Sequence, residues 1–167
     1  IARRQRQMCI RDRPDAGEAL VKRTQEQIDQ AKKQIAAWKP AKPMRVAFLY
    51  VRGNAGVFFI LGSENGASEL IQGVGADDVA SDKGITTLVP ANAESLVSIN
   101  PDAIFVMRDG LASTGGMKGL LARAGVANTT AGRKQRVISI PDGISLSFGP
   151  QTGEVLTAVA KALYGVK

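Results

Sequence analysis

The first pattern along the chain has a helical period. From Pro14 to Trp38, apolar or small residues recur every three or four positions, with Lys, Arg, Gln and Glu between them. This stripe consists of Leu20, Thr24, Ile28, Ala31, Ile35 and Trp38. Such spacing places its members on one face of an α-helix. Pro40 and Pro43 follow, so the pattern predicts one amphipathic helix of about 24 residues, roughly 36 Å long, that ends before them.

A second pattern consists of short, unbroken apolar runs, which are typical of strands buried on both faces of a parallel sheet. These runs are Met44–Val51, Ala103–Met107 and Val137–Ile140. Helical patterns precede the last two of them, at Ala93–Ile99 and Met117–Ala124. Strands that alternate with helices predict an α/β fold with a mainly parallel sheet flanked by helices.

The remaining segments complete the expected organisation. Ser68–Gln72 and Pro150–Leu163 predict two more helices, and Val57–Leu61 is compatible with a short strand or a buried loop. No apolar run approaches the roughly 20 residues that a membrane span requires. We therefore expect a long helix and linker over residues 14–43, followed by one α/β lobe over residues 44–167.

Charge is distributed unevenly along the 167 residues, whose net charge is +7. Residues 1–43 contain 11 Lys and Arg against 5 Asp and Glu, whereas residues 44–167 contain 11 against 10. Five arginines lie within the first thirteen residues, a composition compatible with an arm that binds nucleic acid or an anionic membrane. The segment Met8–Arg13, however, resembles the translation of an adapter used in preparing sequencing libraries. We interpret residues 1–13 as a non-native tail and expect no nucleic-acid partner.

Composition also excludes several kinds of chemistry. The chain has no His and a single cysteine, Cys9, which excludes His-based catalysis, His-ligated metal centres and intrachain disulfides. The glycines at 73–75 and 115–119 do not have the spacing of nucleotide-binding loops. Ser145 and Ser147 have no His partner and are interpreted as loop hydroxyls. We expect a protein without enzymatic activity, with an α/β enzyme acting on a nucleotide or phosphate as the alternative.

Ligands of open parallel sheets bind beyond the carboxyl ends of the strands, so the residues that follow each apolar run are the candidate site. They are Tyr50–Asn54, Met107–Gly110 and Pro141–Gly143, with the loop Ser145–Gly149 after the third strand. Within the first segment, Tyr50 and Arg52 point to the same side because side chains alternate along a strand.

A tyrosine beside an arginine has a specific chemical meaning at such a position. A free phenol titrates near pH 10, and a nearby cation favours the phenolate, which is a good ligand for ferric iron. From the spacing alone, an ordinary strand-end tyrosine beside a solvated arginine remains the alternative.

In chain order, the long helix, a strand, a Gly-rich turn, the segment Glu94–Ile104 and a closing helix resemble a known arrangement. They are similar to the connecting helix and second lobe of ABC-importer substrate-binding proteins in which one rigid helix joins two α/β lobes. That group serves haem, cobalamin and siderophores. The resemblance covers residues 14–167. Phe48–Gly53 and Ile144–Gly153 are most similar to haem-binding members from Gram-positive haem importers.

The resemblance implies roles for individual residues. Tyr50 would be an axial ligand of ferric haem iron, and Arg52 would donate a hydrogen bond to it. Asn54 and Ser147 would border the haem, and Met107 would approach it through its thioether, with a core methionine as the equally compatible alternative. The family usually places a second axial ligand, often His, on the first lobe, which this chain lacks. A siderophore or cobalamin binder of the same scaffold remains the alternative function.

The resemblance also implies a partner and a location. Glu94 is similar to the carboxylate that pairs with arginines of the ABC transporter permease, although a solvated glutamate in the first turn of a helix is the plain alternative. We therefore expect an extracytoplasmic protein, periplasmic or anchored to the cell surface, that delivers haem to a permease.

Overall fold

Long-range strand pairing organises the part of the chain that the computed structural model describes, residues 14–53, 56–146 and 148–166. The strands are β1 (Arg45–Arg52), β2 (Val57–Ile60), β3 (Asp77–Asp78), β4 (Val89–Pro90), β5 (Ala103–Met107) and β6 (Val137–Ile140). The helices are α1 (Pro14–Trp38), α2 (Ala67–Gly73), α3 (Val79–Asp82), α4 (Ala93–Ile99), α5 (Arg108–Ser113), α6 (Gly116–Leu121), α7 (Thr130–Arg133), α8 (Asp142–Ser145) and α9 (Thr152–Tyr164).

One six-stranded sheet has the order β4-β2-β1-β5-β6, with the short β3 also paired to β1. β1, β5 and β6 are parallel neighbours, and β3 is parallel to β1. β2 and β4 add two antiparallel strands at the other edge. The predicted α/β fold with a mainly parallel sheet is confirmed, and the segment whose structure the sequence left open is the strand β2.

The two faces of the sheet carry separate apolar layers. On one face, Phe48 and Phe105 pack with residues of α1, α2 and α9, and their rings meet edge to face at a centroid distance of 6.4 Å. On the other face, Leu49 and Ile104 pack with residues of α4 and α6. The alternation explains why the central strands are apolar at every position, since both of their faces are buried.

The long helix α1 is buried along only part of its apolar stripe. Ala31 and Ile35 are 3% and 2% exposed and belong to the core, whereas Leu20 is 39% exposed. Where α1 crosses α9, a Cβ added to Gly153 would lie 2.8 Å from main-chain atoms of Gln27, so the two helices are in backbone contact. The stripe is therefore buried near its C-terminal end and more exposed toward its N-terminal end.

Several boundaries differ from the expectations. The final helix was expected from Pro150 but begins at Thr152, because Pro150 lies in a turn in which Thr152 donates to the carbonyl of Gly149. The helix expected at Met117–Ala124 ends at Leu121. The short elements α3, α5, α7 and α8 and the strands β3 and β4 were not predicted, since two to six residues are too few to show a period.

Two expectations from the sequence concerned membrane spans and the first thirteen residues. Within the described ranges, no helix is long and apolar enough to cross a membrane. The expected non-native tail, residues 1–13, lies outside the residues that the structure describes.

Candidate functional site

The carboxyl ends of β1, β5 and β6 lie side by side at one edge of the sheet. Leu49 pairs with Val106, and Met107 pairs with Ile140. Continuing this register by one residue places Tyr50 level with Met107. The residues that leave these three strands therefore meet at one edge, as the rule for parallel sheets requires.

Tyr50 and Arg52 form a hydrogen-bonded pair at this edge. The Nε of Arg52 lies 3.4 Å from the Oη of Tyr50 and donates to it. The guanidinium carbon is 5.4 Å from the centroid of the Tyr50 ring. Both residues are half-buried, and Tyr50 packs against the core that contains Phe48. The hydroxyl is therefore held beside a cation at the rim of the core.

Asp142, the first residue of α8, binds the other side of the same guanidinium. Its Oδ1 accepts from the Nη2 of Arg52 at 3.0 Å, and its Oδ2 accepts from the main-chain N–H of Asp109 at 2.8 Å. The hydrogen bond with Tyr50 raises the pKa of Arg52 above its ordinary value; desolvation opposes this, and Asp142 raises the pKa further. Arg52 is therefore a charged donor at neutral pH.

Met107 completes the surroundings of Arg52. Its Sδ lies 3.9 Å from the Nη2 of Arg52, and its side chain also packs against the core beside Tyr50. Both alternatives weighed from the sequence, a core residue and a site residue, are therefore compatible with its place. Asn54 and Ser147, the other expected site residues, lie outside the described residues.

Apolar side chains lie on the same face of the sheet as Tyr50. Phe59 pairs with Tyr50 across the antiparallel β1–β2 ladder, so the two side chains lie on the same face of the sheet. Leu146 packs against the same core as Tyr50. Phe148, 47% exposed, passes close to Gly66, where an added Cβ would lie 3.1 Å from its ring. The edge therefore combines one polar pair with a half-exposed apolar rim.

The turn after Arg52 is tied to the helices on the other side of the sheet. The N–H of Gly53 donates to the Oγ of Ser113 at 2.7 Å, and Arg123 donates to the carbonyl of Gly53. A Cβ added to Gly110 would lie 2.5 Å from the carbonyl oxygen of Val51, so α5 packs directly on the β1 backbone. These contacts fix the strand end that carries Tyr50 and Arg52.

Glu94 lies apart from this group. It is exposed in the first turn of α4, whose N-cap is Asn92, and the Asn92 side chain accepts from the N–H of Ser95 at 2.8 Å. Its place in a helix's first turn agrees with both interpretations given from the sequence.

Sequence reasoning placed Asp142 in a candidate segment without giving it a role, and it did not single out Phe59 or Ser113. Asp142 follows a strand that had been identified, but its contact with Arg52 spans 90 positions along the chain. Phe59 belongs to the segment that was left open between strand and loop. Ser113 lies in a helix with no periodic signal. The position of Asp142 after an apolar run was the one available indication.

The part of the chain that the structure describes contains no group of three or more Cys, Asp and Glu that could hold a metal ion. The edge instead offers one phenol, a guanidinium paired with a single carboxylate, one thioether and apolar surface. Such a surface suits a largely apolar ligand that carries its own electrophilic centre.

The family model described as periplasmic binding protein matches residues 10–143. The chain belongs to this periplasmic binding protein family. No curated protein sequence matches it at a significant level.

Solved structures give more specific relatives. The crystal structure of the haem-binding protein HmuT is 48% identical, with a TM-score of 0.90, over 92% of this chain and 50% of that one. The periplasmic haem-binding protein RhuT from Roseiflexus sp. RS-1, in apo form, is 34% identical, with a TM-score of 0.85, over 91% and 57%. The periplasmic haem-binding protein BhuT, in complex with two haems, is 32% identical, with a TM-score of 0.81, over 92% and 57%. The chain thus spans about half the length of the solved structures that it matches.

Proposed function

We propose that the chain is part of a haem-binding protein that captures ferric haem outside the cytoplasm and passes it to an ABC transporter permease, with Tyr50 as an axial ligand of the iron. The observation that carries the proposal is the Tyr50–Arg52 hydrogen bond at the half-exposed carboxyl edge of the sheet.

The chemistry of the pair fits this ligand. A phenolate is a hard anionic donor that binds ferric iron, and an adjacent cation favours the ionised form. Arg52 donates through Nε to one side of the Tyr50 oxygen, which leaves further lone pairs of that oxygen for the metal. The same hydrogen bond reduces the electron donation from the oxygen to the iron, so Arg52 tunes the strength of the bond.

The apolar rim supports a porphyrin as the ligand. Phe59 and Leu146 supply apolar surface on the Tyr50 face of the sheet, and Phe148 is half-exposed near Gly66. A porphyrin bound to Tyr50 would cover this surface, and its burial would contribute roughly 25 cal/mol for each Å² removed from water. A hydrophilic ferric siderophore would gain less from the same contacts.

The relatives support the same assignment. The solved structures of HmuT include one variant in which a tyrosine is replaced by alanine and another in which the arginine two positions later is replaced. The spacing of these residues equals that of Tyr50 and Arg52. Another HmuT variant replaces a histidine, and this chain contains none. A histidine ligand of the iron would therefore not come from this chain.

Glu94 is our proposed contact with the permease. It is exposed at the start of α4, and a carboxylate there is available to a basic partner. Exchange of this charge, Glu94→Lys, is expected to abolish delivery of haem to the permease and to leave haem binding unchanged. The exposed Glu69→Lys supplies the matched control.

Titration of the chain with haemin, followed by visible absorbance, tests the proposed function. We expect one-to-one binding with a phenolate–iron charge-transfer band. Ferric siderophores and cobalamin are titrated in parallel by quenching of the Trp38 fluorescence. Binding of either one more tightly than haemin would contradict the assignment to haem.

A further inference from the structure

Asp142 connects the three strands that form the site. It follows β6, accepts from Arg52 of β1, and accepts from the main-chain N–H of Asp109, two residues after β5. One carboxylate oxygen therefore binds the last residue of β1, and the other binds the backbone just after β5. The carboxylate is 22% exposed and the Arg52 side chain 39%, so the bridge lies at the edge of the core.

The orientation of the Arg52 guanidinium depends on this bridge. Arginine is a long side chain with several rotatable bonds, and its planar head has five N–H donors with fixed directions. Because Asp142 holds Nη2, the Nε edge of the same plane is directed to the Tyr50 oxygen. Without that anchor, the head would be free to rotate away from the phenol into solvent.

The anchor itself has a fixed position. The second Asp142 oxygen accepts a hydrogen bond from the backbone of Asp109 at 2.8 Å, and a backbone donor has no side-chain freedom to lose. Met107 also limits the space next to Nη2, since its Sδ lies 3.9 Å away. Arg52 is therefore confined from two sides, by one carboxylate and one thioether.

We propose that Asp142 is a positioning residue for haem binding, which holds the Arg52 guanidinium so that its Nε donates to the iron-binding oxygen of Tyr50. This inference rests on the proposed function and adds to it. Asp142 does not touch the ligand in this account; it acts through Arg52. The negative charge of Asp142 also offsets part of the positive charge of Arg52. The Tyr50 oxygen therefore accepts a hydrogen bond from a guanidinium whose charge is partly balanced.

A double-mutant cycle tests the coupling. Asp142→Ala should weaken haemin binding about fivefold, in keeping with the loss of one charge-assisted hydrogen bond. It should also shift the phenolate–iron band toward that of Arg52→Ala. In the Arg52→Ala background, the same change should have no further effect. Asp82→Ala, at an exposed aspartate of α3 away from the site, is the control and should leave binding and spectrum unchanged.

Results of three kinds would overturn the proposal. These are an unchanged band in Asp142→Ala, an equal loss of affinity in the presence and absence of Arg52, or the same loss in Asp82→Ala. Circular dichroism checks that each variant is folded. The isosteric Asp142→Asn replaces the alanine variant if that variant does not fold.

A measurement without haem separates this proposal from the proposed function. In the ¹⁵N NMR spectrum of the unliganded chain, we expect Asp142→Ala to increase hydrogen exchange at the Arg52 Nε–H about tenfold. An unchanged exchange rate would contradict the positioning role even if haem binds. Failure of the wild-type chain to bind haemin would instead contradict the proposed function, and the exchange rate would still decide the role of Asp142.

Discussion

Two arginines lie at the two ends of β1, and their guanidinium groups have different partners: main-chain carbonyls for one and side chains for the other. Arg45 begins the strand, and its guanidinium donates to the main-chain carbonyls of Asn100 and Ile99 at 3.0 and 2.6 Å, where α4 ends. Its backbone N–H also donates to the Asp102 carboxylate at 3.1 Å. Arg52 ends the strand, and its donors meet the side chains of Tyr50 and Asp142.

The difference separates a structural arginine from one suited to ligand binding. The carbonyls at a helix end have no partners within the helix, and a cation there satisfies them and interacts favourably with the helix dipole. A guanidinium shared between a phenol and a carboxylate at a half-exposed surface satisfies no backbone group. In our proposal, this arrangement instead orients the phenol oxygen for a further contact.

The largest expected effect concerns how much of a bound ligand the Arg52 end of the sheet can cover. Binding sites for small molecules bury 70–90% or more of the ligand, whereas one wall covers about half as much. A few hundred Å² of porphyrin left in water costs several kcal/mol at about 25 cal/mol per Å². We therefore expect the 167-residue chain to bind haemin with a Kd that is roughly micromolar, at least about a hundredfold weaker than that of HmuT, of which the match covers only 50%.

Parallel haemin titrations of the chain and of HmuT measure this difference. Submicromolar one-to-one binding by residues 14–167 would show that a single lobe holds the complete site.

The next effect comes from alanine at each arginine. Arg52→Ala should weaken haemin binding about tenfold, because a charge-assisted hydrogen bond to the ligating oxygen is lost. Arg45→Ala should lower the free energy of unfolding by about 1–2 kcal/mol, because carbonyls at the end of α4 lose their donors. Urea unfolding and haemin titration of both variants give the four values.

We expect Arg52→Ala to change mainly the haemin affinity and Arg45→Ala to change mainly the free energy of unfolding. A loss of haemin affinity in folded Arg45→Ala as large as that in Arg52→Ala would remove the distinction between the two ends of the strand.

A smaller effect is expected at the apolar rim. Phe59→Leu should weaken haemin binding about threefold, because part of an aromatic contact beside Tyr50 is lost. Phe58→Leu is the matched control, since Phe58 packs against the opposite layer and beneath Arg123. Phe58→Leu should lower stability and leave haemin affinity unchanged, and equal affinity losses in the two variants would contradict a porphyrin surface on the Phe59 side.

The smallest effect is a pH dependence at the second tyrosine. Burial raises the pKa of Tyr164 above its ordinary value, and the charge of Asp77 adds to the increase. Its contribution to stability is complete below the unfolded value near pH 10 and decreases as pH rises through the folded pKa. The free energy of unfolding should therefore fall more between pH 9 and pH 11 in the wild-type chain than in Tyr164→Phe.

Urea unfolding at the two pH values measures this difference. An equal decrease in both chains would show that Tyr164 ionises as easily in the folded chain as in the unfolded one.

Local pattern explains what could be predicted from the sequence. The apolar run of β1 and the stripe of α1 each extend over eight or more residues, so the unbroken run indicated a buried strand and the three-to-four spacing a helix. The alternation of a strand also placed Tyr50 and Arg52 on one side. The haem assignment came from family resemblance, since a phenol beside a guanidinium does not specify a ligand.

Long-range register explains what could not be predicted. The contact of Asp142 with Arg52 exists because β5 lies between β1 and β6 in the sheet. A single sequence does not give this order, and an aspartate between proline and glycine is typical of a turn. The pairing of Phe59 with Tyr50 likewise depends on the register of a hairpin whose second strand was uncertain.

The central claim is that Tyr50 binds the haem iron, and the chain provides its own control because it contains only two tyrosines. Tyr164 donates to the carbonyl of Val74 at 2.8 Å, away from the site. Visible spectra of the wild-type chain, Tyr50→Phe and Tyr164→Phe with ferric haemin should show the phenolate–iron charge-transfer band in the first and third proteins only. A band that persists in Tyr50→Phe, with unchanged haemin affinity, would contradict the account.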